Sequence, residues 1–170
     1  MQTIHTPYPQ RRLKGQQLYG AGQIRALTSA DSNKIEYGDL VLYGAEEGTF
    51  TRPSATFTES QVAGITRLST AGKPQNFRGG DKTIEFEETV DILQKGFICV
   101  YFTQAVTHAE ITQGVVPYFV HTDGGNSDLN TFRKDDDGGK ASKIPGRIVE
   151  PVEKDSVGII QIDILISVKS

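Results

Sequence analysis

The chain is poor in the residues on which disulfide stapling and membrane insertion depend. It has 170 residues, one cysteine and no tryptophan. A single cysteine cannot form an intrachain disulfide, so the fold does not depend on an oxidising compartment. No apolar run approaches the ~20 residues of a membrane-spanning helix, and residues 1–15 lack the apolar segment of a secretory signal. We therefore expect a soluble protein, with no membrane partner, that is made in a cytoplasm and used there or in an assembly built there.

Acidic residues are absent from the first thirty positions. This stretch carries four basic residues, Arg11, Arg12, Lys14 and Arg25. The other 140 residues carry all 21 acidic side chains and 14 basic ones, a net charge of −7. Such an asymmetry indicates that one end of the chain binds an acidic partner. Nucleic acid is disfavoured as that partner, because the body is acidic and no aromatic residues extend the basic patch.

Residues 1–18 have few apolar groups and no periodicity. Pro7 and Pro9 push their neighbours towards extended backbone. We predict that residues 1–18 form an extended arm, which orders only against a partner. Residues 19–170 have the length of one domain.

Strand patterns dominate the rest of the chain and predict an all-β fold, an antiparallel sandwich or barrel of about eight to ten strands. Residues 83–87 alternate polar and apolar groups, and residues 89–102 predict a hairpin that turns at 94–96. The final strand places Ile160, Ile162, Ile164, Ile166 and Val168 on one face. Helix is limited to a short piece near Glu59 or over 107–113.

An Asp/Gly-rich segment over residues 122–146 interrupts the strand pattern. Its turn chemistry predicts a long mobile loop or hairpin, with a short strand within 129–134. Asp135, Asp136 and Asp137 precede Gly138, but they lack the alternating spacing and the bidentate glutamate of a calcium loop. We interpret them as a solvated acidic turn and predict no metal site; a divalent ion held weakly at the loop tip stays open.

No arrangement of residues indicates catalysis. His5, His108 and His121 lack a nucleophile elbow, and Cys99 lies in an apolar run typical of a buried hydrophobe. Glu85 and Glu87 fall on one face of a predicted strand, opposite Ile84 and Phe86. That face is typical of a solvated surface rather than a glycosidase pair, or it receives the basic arm of a neighbouring subunit. We predict no enzymatic activity and no cofactor.

The order of the elements resembles that of the bacteriophage capsid decoration, or cement, proteins. The resemblance begins with Tyr19-Gly20-Ala21-Gly22-Gln23-Ile24 and Ile35-Glu36-Tyr37-Gly38-Asp39-Leu40-Val41. It continues through Val62-Ala63-Gly64-Ile65-Thr66, residues 90–100 and Pro117-Tyr118-Phe119-Val120, then a Gly-rich hairpin and a closing apolar strand. It covers roughly residues 17–168.

This resemblance implies a jelly-roll-like antiparallel β-sandwich on the outside of an icosahedral shell. The protein would be assembled in a host cytoplasm, bridge major capsid protein subunits and pair with itself, as a trimer in preference to a dimer. The expected interface residues are Tyr8, Arg11, Arg12, Lys14, Tyr19, Glu85 and Glu87. Two alternatives stay open: a phage tail or baseplate structural protein, and a small β-sandwich carbohydrate-binding module or enzyme that uses Glu85 and Glu87 or the Asp-rich loop.

Overall fold

Nearly every regular element is a strand in the computed structural model, which describes residues 12–68, 83–123 and 128–164. The strands are β1 Gln17–Ser29, β2 Ile35–Glu36, β3 Leu40–Tyr43, β4 Thr49–Thr51, β5 Val62–Thr66, β6 Thr83–Ile84, β7 Thr89–Phe102, β8 Tyr118–Val120, β9 Phe132–Arg133, β10 Ala141–Lys143, β11 Gly146–Ile148 and β12 Ser156–Asp163. A 3₁₀ turn over Glu59–Gln61 and helix α1, His108–Thr112, lie where short helices were predicted. The all-β prediction is confirmed. Within the described ranges no helix has both the length and the apolar character to cross a membrane.

Five strands close a hydrogen-bonded ring. β1 pairs with β4, β4 with β3, β3 with β5, β5 with β7, and β7 returns to β1. The β1–β4 pairing is parallel and involves Thr28 and Ser29. The residues of β1 before Thr28 therefore pair with one strand only, β7, among the described strands. A second parallel contact joins β7 to β9 at Phe102 and Phe132, so the sheet is mixed rather than purely antiparallel.

In three ring strands, side chains on opposite faces pack into two different hydrophobic cores. Val41, Ala63 and Ile92 belong to a cluster fed by all five ring strands, which fills the ring. Their neighbours in β3, β5 and β7 point outward into a second cluster shared with β8, β9, β11 and β12. Period-two alternation in a strand that is covered on both sides leaves no solvated face, so every residue of β5 is buried. The result is a sandwich-like arrangement in which the later strands cover one side of the ring.

The final strand confirms the predicted apolar face. Ile160, Ile162 and Ile164 are buried, and β12 pairs with the second half of β7 from Ser156↔Phe102 to Asp163↔Lys95. Ile166 and Val168 lie outside the described residues.

The predicted hairpin at 94–96 is wrong, because β7 is one continuous strand of 14 residues. Its two halves pair with β1 and β12 instead of with each other, which satisfies their backbone groups. Gly96 (φ +136°) faces a bulge in β1, where residues 19–22 lie between Leu18↔Phe97 and Gln23↔Lys95. The glycine-rich motif of residues 19–22 therefore forms a bulge, and the glycine of β7 accommodates it.

The predicted strand over 83–87 is also wrong beyond Ile84. β6 ends there, and Glu87 adopts a left-handed φ of +61° in the turn that leads to β7. Ile84 is buried as predicted, whereas Phe86 is 56% exposed. The two residues therefore do not share an inward face.

Candidate functional site

The chain that precedes β1 is hydrogen-bonded to the body. The Gly15 amide donates to the Cys99 carbonyl at 2.8 Å, and the Cys99 amide donates to the Gln16 carbonyl at 2.9 Å. The Leu68 amide donates to the Gly15 carbonyl, also at 2.9 Å. Residues 12–18 of the predicted arm therefore lie against the body, and β1 already begins at Gln17. Residues 1–11 lie outside the described residues.

A buried ion pair fixes this segment. The Lys14 Nζ lies 2.6 Å from Asp39 Oδ1 and 2.9 Å from Glu36 Oε2. Asp39 is only 1% exposed, and its other carboxylate oxygen accepts the Glu36 amide at 3.0 Å. Burial raises the pKa of Asp39 to about 6, against the opposing effect of Lys14, so the carboxylate is ionised at neutral pH. Burial lowers the pKa of Lys14, but the charges and hydrogen bonds of Asp39 and Glu36 together outweigh it, and the net shift is upward.

Two glycines allow the segment to approach the body. A Cβ on Gly38 (φ +87°) would lie 2.6 Å from the Gly15 nitrogen and 2.5 Å from Lys14 Cγ. Gly15 (φ +80°) has the reciprocal contact, since its Cβ would lie 2.9 Å from the Gly38 nitrogen. Residues 12–16 and 36–39 together are called the N-terminal clasp below. The Gly38-Asp39 pair of the sequence motif therefore belongs to residues 36–39, the part of the clasp that lies in the body.

Arg12 extends the clasp by an ion pair with Glu150, which is 138 positions away in the chain. Both basic residues in the described part of the predicted arm, Arg12 and Lys14, are thus paired with acidic residues of the same chain. The carboxylates that receive them within the chain are Glu36, Asp39 and Glu150; that Glu85 and Glu87 receive the arm of a neighbouring subunit stays a prediction. The clasp therefore fixes residues 12–16 to the body.

The Asp/Gly-rich loop is organised around one guanidinium. Arg133, 8% exposed, has its Nε 3.0 Å from Asp135 Oδ1. Its Nη1 lies 3.0 Å from Asp137 Oδ2 and 3.5 Å from Asp128 Oδ2. The guanidinium thus supplies the positive charge that three carboxylates would otherwise take from a cation.

Further contacts attach this loop to α1. Gln104 donates to Asp135 Oδ2 at 2.8 Å and accepts the Lys134 amide at 3.2 Å. The Lys134 Nζ lies 2.6 Å from Glu110 Oε1, and Glu110 caps α1 by accepting the Thr107 amide. The hydrogen bond from Lys134 is the main reason that the pKa of Glu110 falls to about 2. In its described part the predicted mobile loop is therefore cross-linked, and no cluster of three or more His, Cys, Asp or Glu residues in the described ranges is arranged to hold a metal.

Among the described residues, those considered for catalysis do not form a site. Burial raises the pKa of the Cys99 thiol to about 11, which leaves no reactive thiolate at neutral pH. His108 is the first residue of α1, and His5 lies outside the described residues. His121 is 4% exposed and packs edge-on against Phe57, with ring centroids 5.9 Å apart.

We expect His121 to make the fold less stable in mild acid. Burial lowers the pKa of His121 below its usual range. The unfolded chain therefore binds the proton more tightly, and the free energy of unfolding falls as pH drops below about 6.5. His121→Gln should flatten this dependence in denaturant titrations between pH 5 and pH 8. An unchanged pH profile in His121→Gln would show that other groups cause it.

The remaining predicted interface residues have varied surroundings. Tyr8 and Arg11 lie outside the described residues, and the structure describes only the backbone of Tyr19, in the β1 bulge. Glu85 pairs with Lys34 at 3.0 Å with both side chains more than half exposed, and Glu87 is at the exposed turn. Because the two glutamates do not share a strand face, the carbohydrate-binding or enzyme alternative loses the part of its basis that depended on them.

Comparison with known proteins identifies the family. No curated protein matches the chain. A family model described as "Structural cement protein (E217 gp24/Pam3 gp6)" matches residues 1–165. That span includes the clasp, the ring, the Arg133 loop and β12. The match confirms the resemblance seen in the sequence and shows that this chain belongs to the structural cement proteins of phages, which are components of the virion capsid.

Proposed function

We propose that this protein binds the outer surface of an icosahedral shell and stabilises the contacts between neighbouring major capsid protein subunits. The observation that carries this proposal is the match to the cement family over residues 1–165. The geometry of the body supports it. A protein that bridges subunits needs a body that does not deform under load, and the closed strand ring with two buried cores provides one.

The N-terminal clasp suggests how the contact is made. Because residues 12–16 are fixed to the body, a contact that begins at this segment requires less ordering on binding. Tyr8 supplies an aromatic side chain of the type that anchors interfaces, and Arg11 supplies a charge that sets register and speeds association. Three copies that act together, the oligomer we propose, would bind far more tightly than one.

Purified shells that lack this protein provide the test. The full-length chain should co-sediment with them and raise the temperature at which they rupture. A variant without residues 1–11 should keep the unfolding free energy of the full-length chain and lose about tenfold or more in affinity for the shell. The deletion must stop before Arg12, since removal of residues 12–16 also removes the clasp.

Two results would contradict different parts of the proposal. Failure of the full-length chain to bind shells would overturn the proposed function. Equal binding by the shortened chain would leave the function in place and exclude the role of residues 1–11.

A further inference from the structure

One exposed patch on the ring combines apolar and cationic groups. Tyr43 is 38% exposed, and the Arg25 guanidinium carbon lies 5.8 Å from the centre of the Tyr43 ring. Gln94 holds Tyr43 in place by donating to its hydroxyl at 2.8 Å and to the Ala63 carbonyl at 3.2 Å. Gln94 is itself 2% exposed. These residues, called the Tyr43 patch below, present a fixed aromatic ring and a cation of the kind found at interface centres.

No acidic residue of the described ranges forms an ion pair with the Tyr43 patch. Arg12 and Lys14 pair with carboxylates, whereas the one contact of the Arg25 side chain within the described ranges is with the Tyr43 ring. All residues from Gln23 to Ala26 are exposed, because this stretch of β1 borders only β7 among the described strands. The patch is therefore accessible from solvent at an open strand edge.

A second exposed patch has the complementary character. Phe86, the most exposed large hydrophobic residue in the described part of the chain, stands between Glu85 and Glu87. Main-chain hydrogen bonds hold this turn to β1: the Glu87 amide donates to the Ser29 carbonyl at 2.8 Å, and the Ser29 amide donates to the Glu88 carbonyl at 2.9 Å. Residues 85–88, called the Phe86 turn below, therefore present an aromatic ring in an acidic frame.

Within the described residues of one chain, no ion pair joins the two patches. The Phe86 turn contacts β1 at Ser29, four residues beyond Arg25 on the strand. Glu85 pairs with Lys34 of the same chain at 3.0 Å, whereas Arg25 and Glu87 have no ion pair among the described residues. A second molecule can supply partners for these two charges.

We propose that the Phe86 turn of one copy docks on the Tyr43 patch of the next. This inference rests on the self-association proposed above and identifies the surfaces that make it. A contact between two Tyr43 patches would place Arg25 against Arg25, and a contact between two Phe86 turns would place glutamates together. Only the mixed contact pairs opposite charges and buries both aromatic rings. A contact between unlike surfaces repeats from copy to copy and closes into a ring when its rotation allows.

Charge exchange between the two patches tests this contact. Sedimentation equilibrium should show that the full-length wild-type chain self-associates. We expect Arg25→Glu and Glu87→Arg each to raise the dissociation constant about tenfold or more, and the double variant to restore association. Phe86→Ser should weaken association without any change in charge. Lys143→Glu and Glu153→Arg are matched controls, since they reverse exposed charges outside both patches and should leave association unchanged.

Three results would contradict the proposed contact between copies. A monomeric wild-type chain, single variants that associate like wild type, or a double variant as weak as the singles would each exclude it. The shell co-sedimentation assay on the same samples keeps the two proposals apart. If a variant loses self-association but still binds shells, the result bears on the contact between copies and not on the proposed function. If the wild-type chain self-associates but does not bind shells, the result contradicts the proposed function and leaves the contact in place.

Discussion

Replacement of Gly38 with alanine is expected to lower the free energy of unfolding by roughly 2–5 kcal/mol and to release residues 12–16 from the body. The added Cβ would lie 2.6 Å from the Gly15 backbone nitrogen, where no side-chain rotation can relieve the overlap. The left-handed φ of +87° adds backbone strain. Denaturant titration gives the free energy. Hydrogen exchange at the Cys99 and Leu68 amides, which bond to Gln16 and Gly15, reports the release.

Gly48 is a matched control for this substitution. Its φ of +79° resembles that of Gly38, but no atom lies within 4 Å of the Cβ that alanine would add. Gly48→Ala should therefore cost only the backbone strain, about 1–2 kcal/mol, and leave exchange at Cys99 and Leu68 unchanged. If both variants lose the same stability and keep these amides protected, the close approach of Gly15 does not hold the clasp.

Replacement of Arg133 with alanine is expected to cost about 3–5 kcal/mol, because it removes the partner of several carboxylates at once. Asp128, Asp135 and Asp137 would be left near one another without the guanidinium. Arg133→Lys should recover part of the loss, since an ammonium keeps the charge but cannot reproduce the planar fork. Stability should rise with added salt in Arg133→Ala more than in wild type, because salt screens the repulsion between aspartates.

Arg147→Ala is the comparison for Arg133. The Arg147 side chain is exposed and contacts Gln161, so its removal should change stability by less than about 1 kcal/mol. Equal losses in the two variants would mean that water, and not Arg133, solvates the three aspartates.

Local sequence patterns predicted the strands and short helices whose formation depends on neighbouring residues in the sequence. The alternation of Ile160, Ile162 and Ile164 identified the last strand, since one side of it faces the core throughout. The short helix after Thr107 has a capping box that is complete within four residues: the Glu110 amide donates to Thr107 Oγ1, and the Thr107 amide donates to Glu110 Oε2. Such signals need no knowledge of the partners in space.

Contacts between distant parts of the chain could not be predicted in the same way. Gly96 has the local signature of a turn, but its role depends on a bulge in β1 that lies more than 70 residues earlier in the chain. The partner of Lys14 is 25 positions away and that of Arg12 is 138 positions away. The acidic run at 135–137 gave no sign that Arg133 neutralises it. The one local signal for the clasp was the Gly38-Asp39 pair after a short strand. The sequence alone does not show that this glycine is left-handed or that this carboxylate is buried; the fold shows both.

The role of this protein in the shell is tested most directly by cryo-electron microscopy of virions beside particles assembled without it. We expect density for the β fold on the outer surface, in contact with neighbouring major capsid protein subunits. The particles made without the protein should lack that density and rupture at lower temperature. Density at the tail or baseplate, or a shell that is unchanged by its absence, would contradict the proposed function.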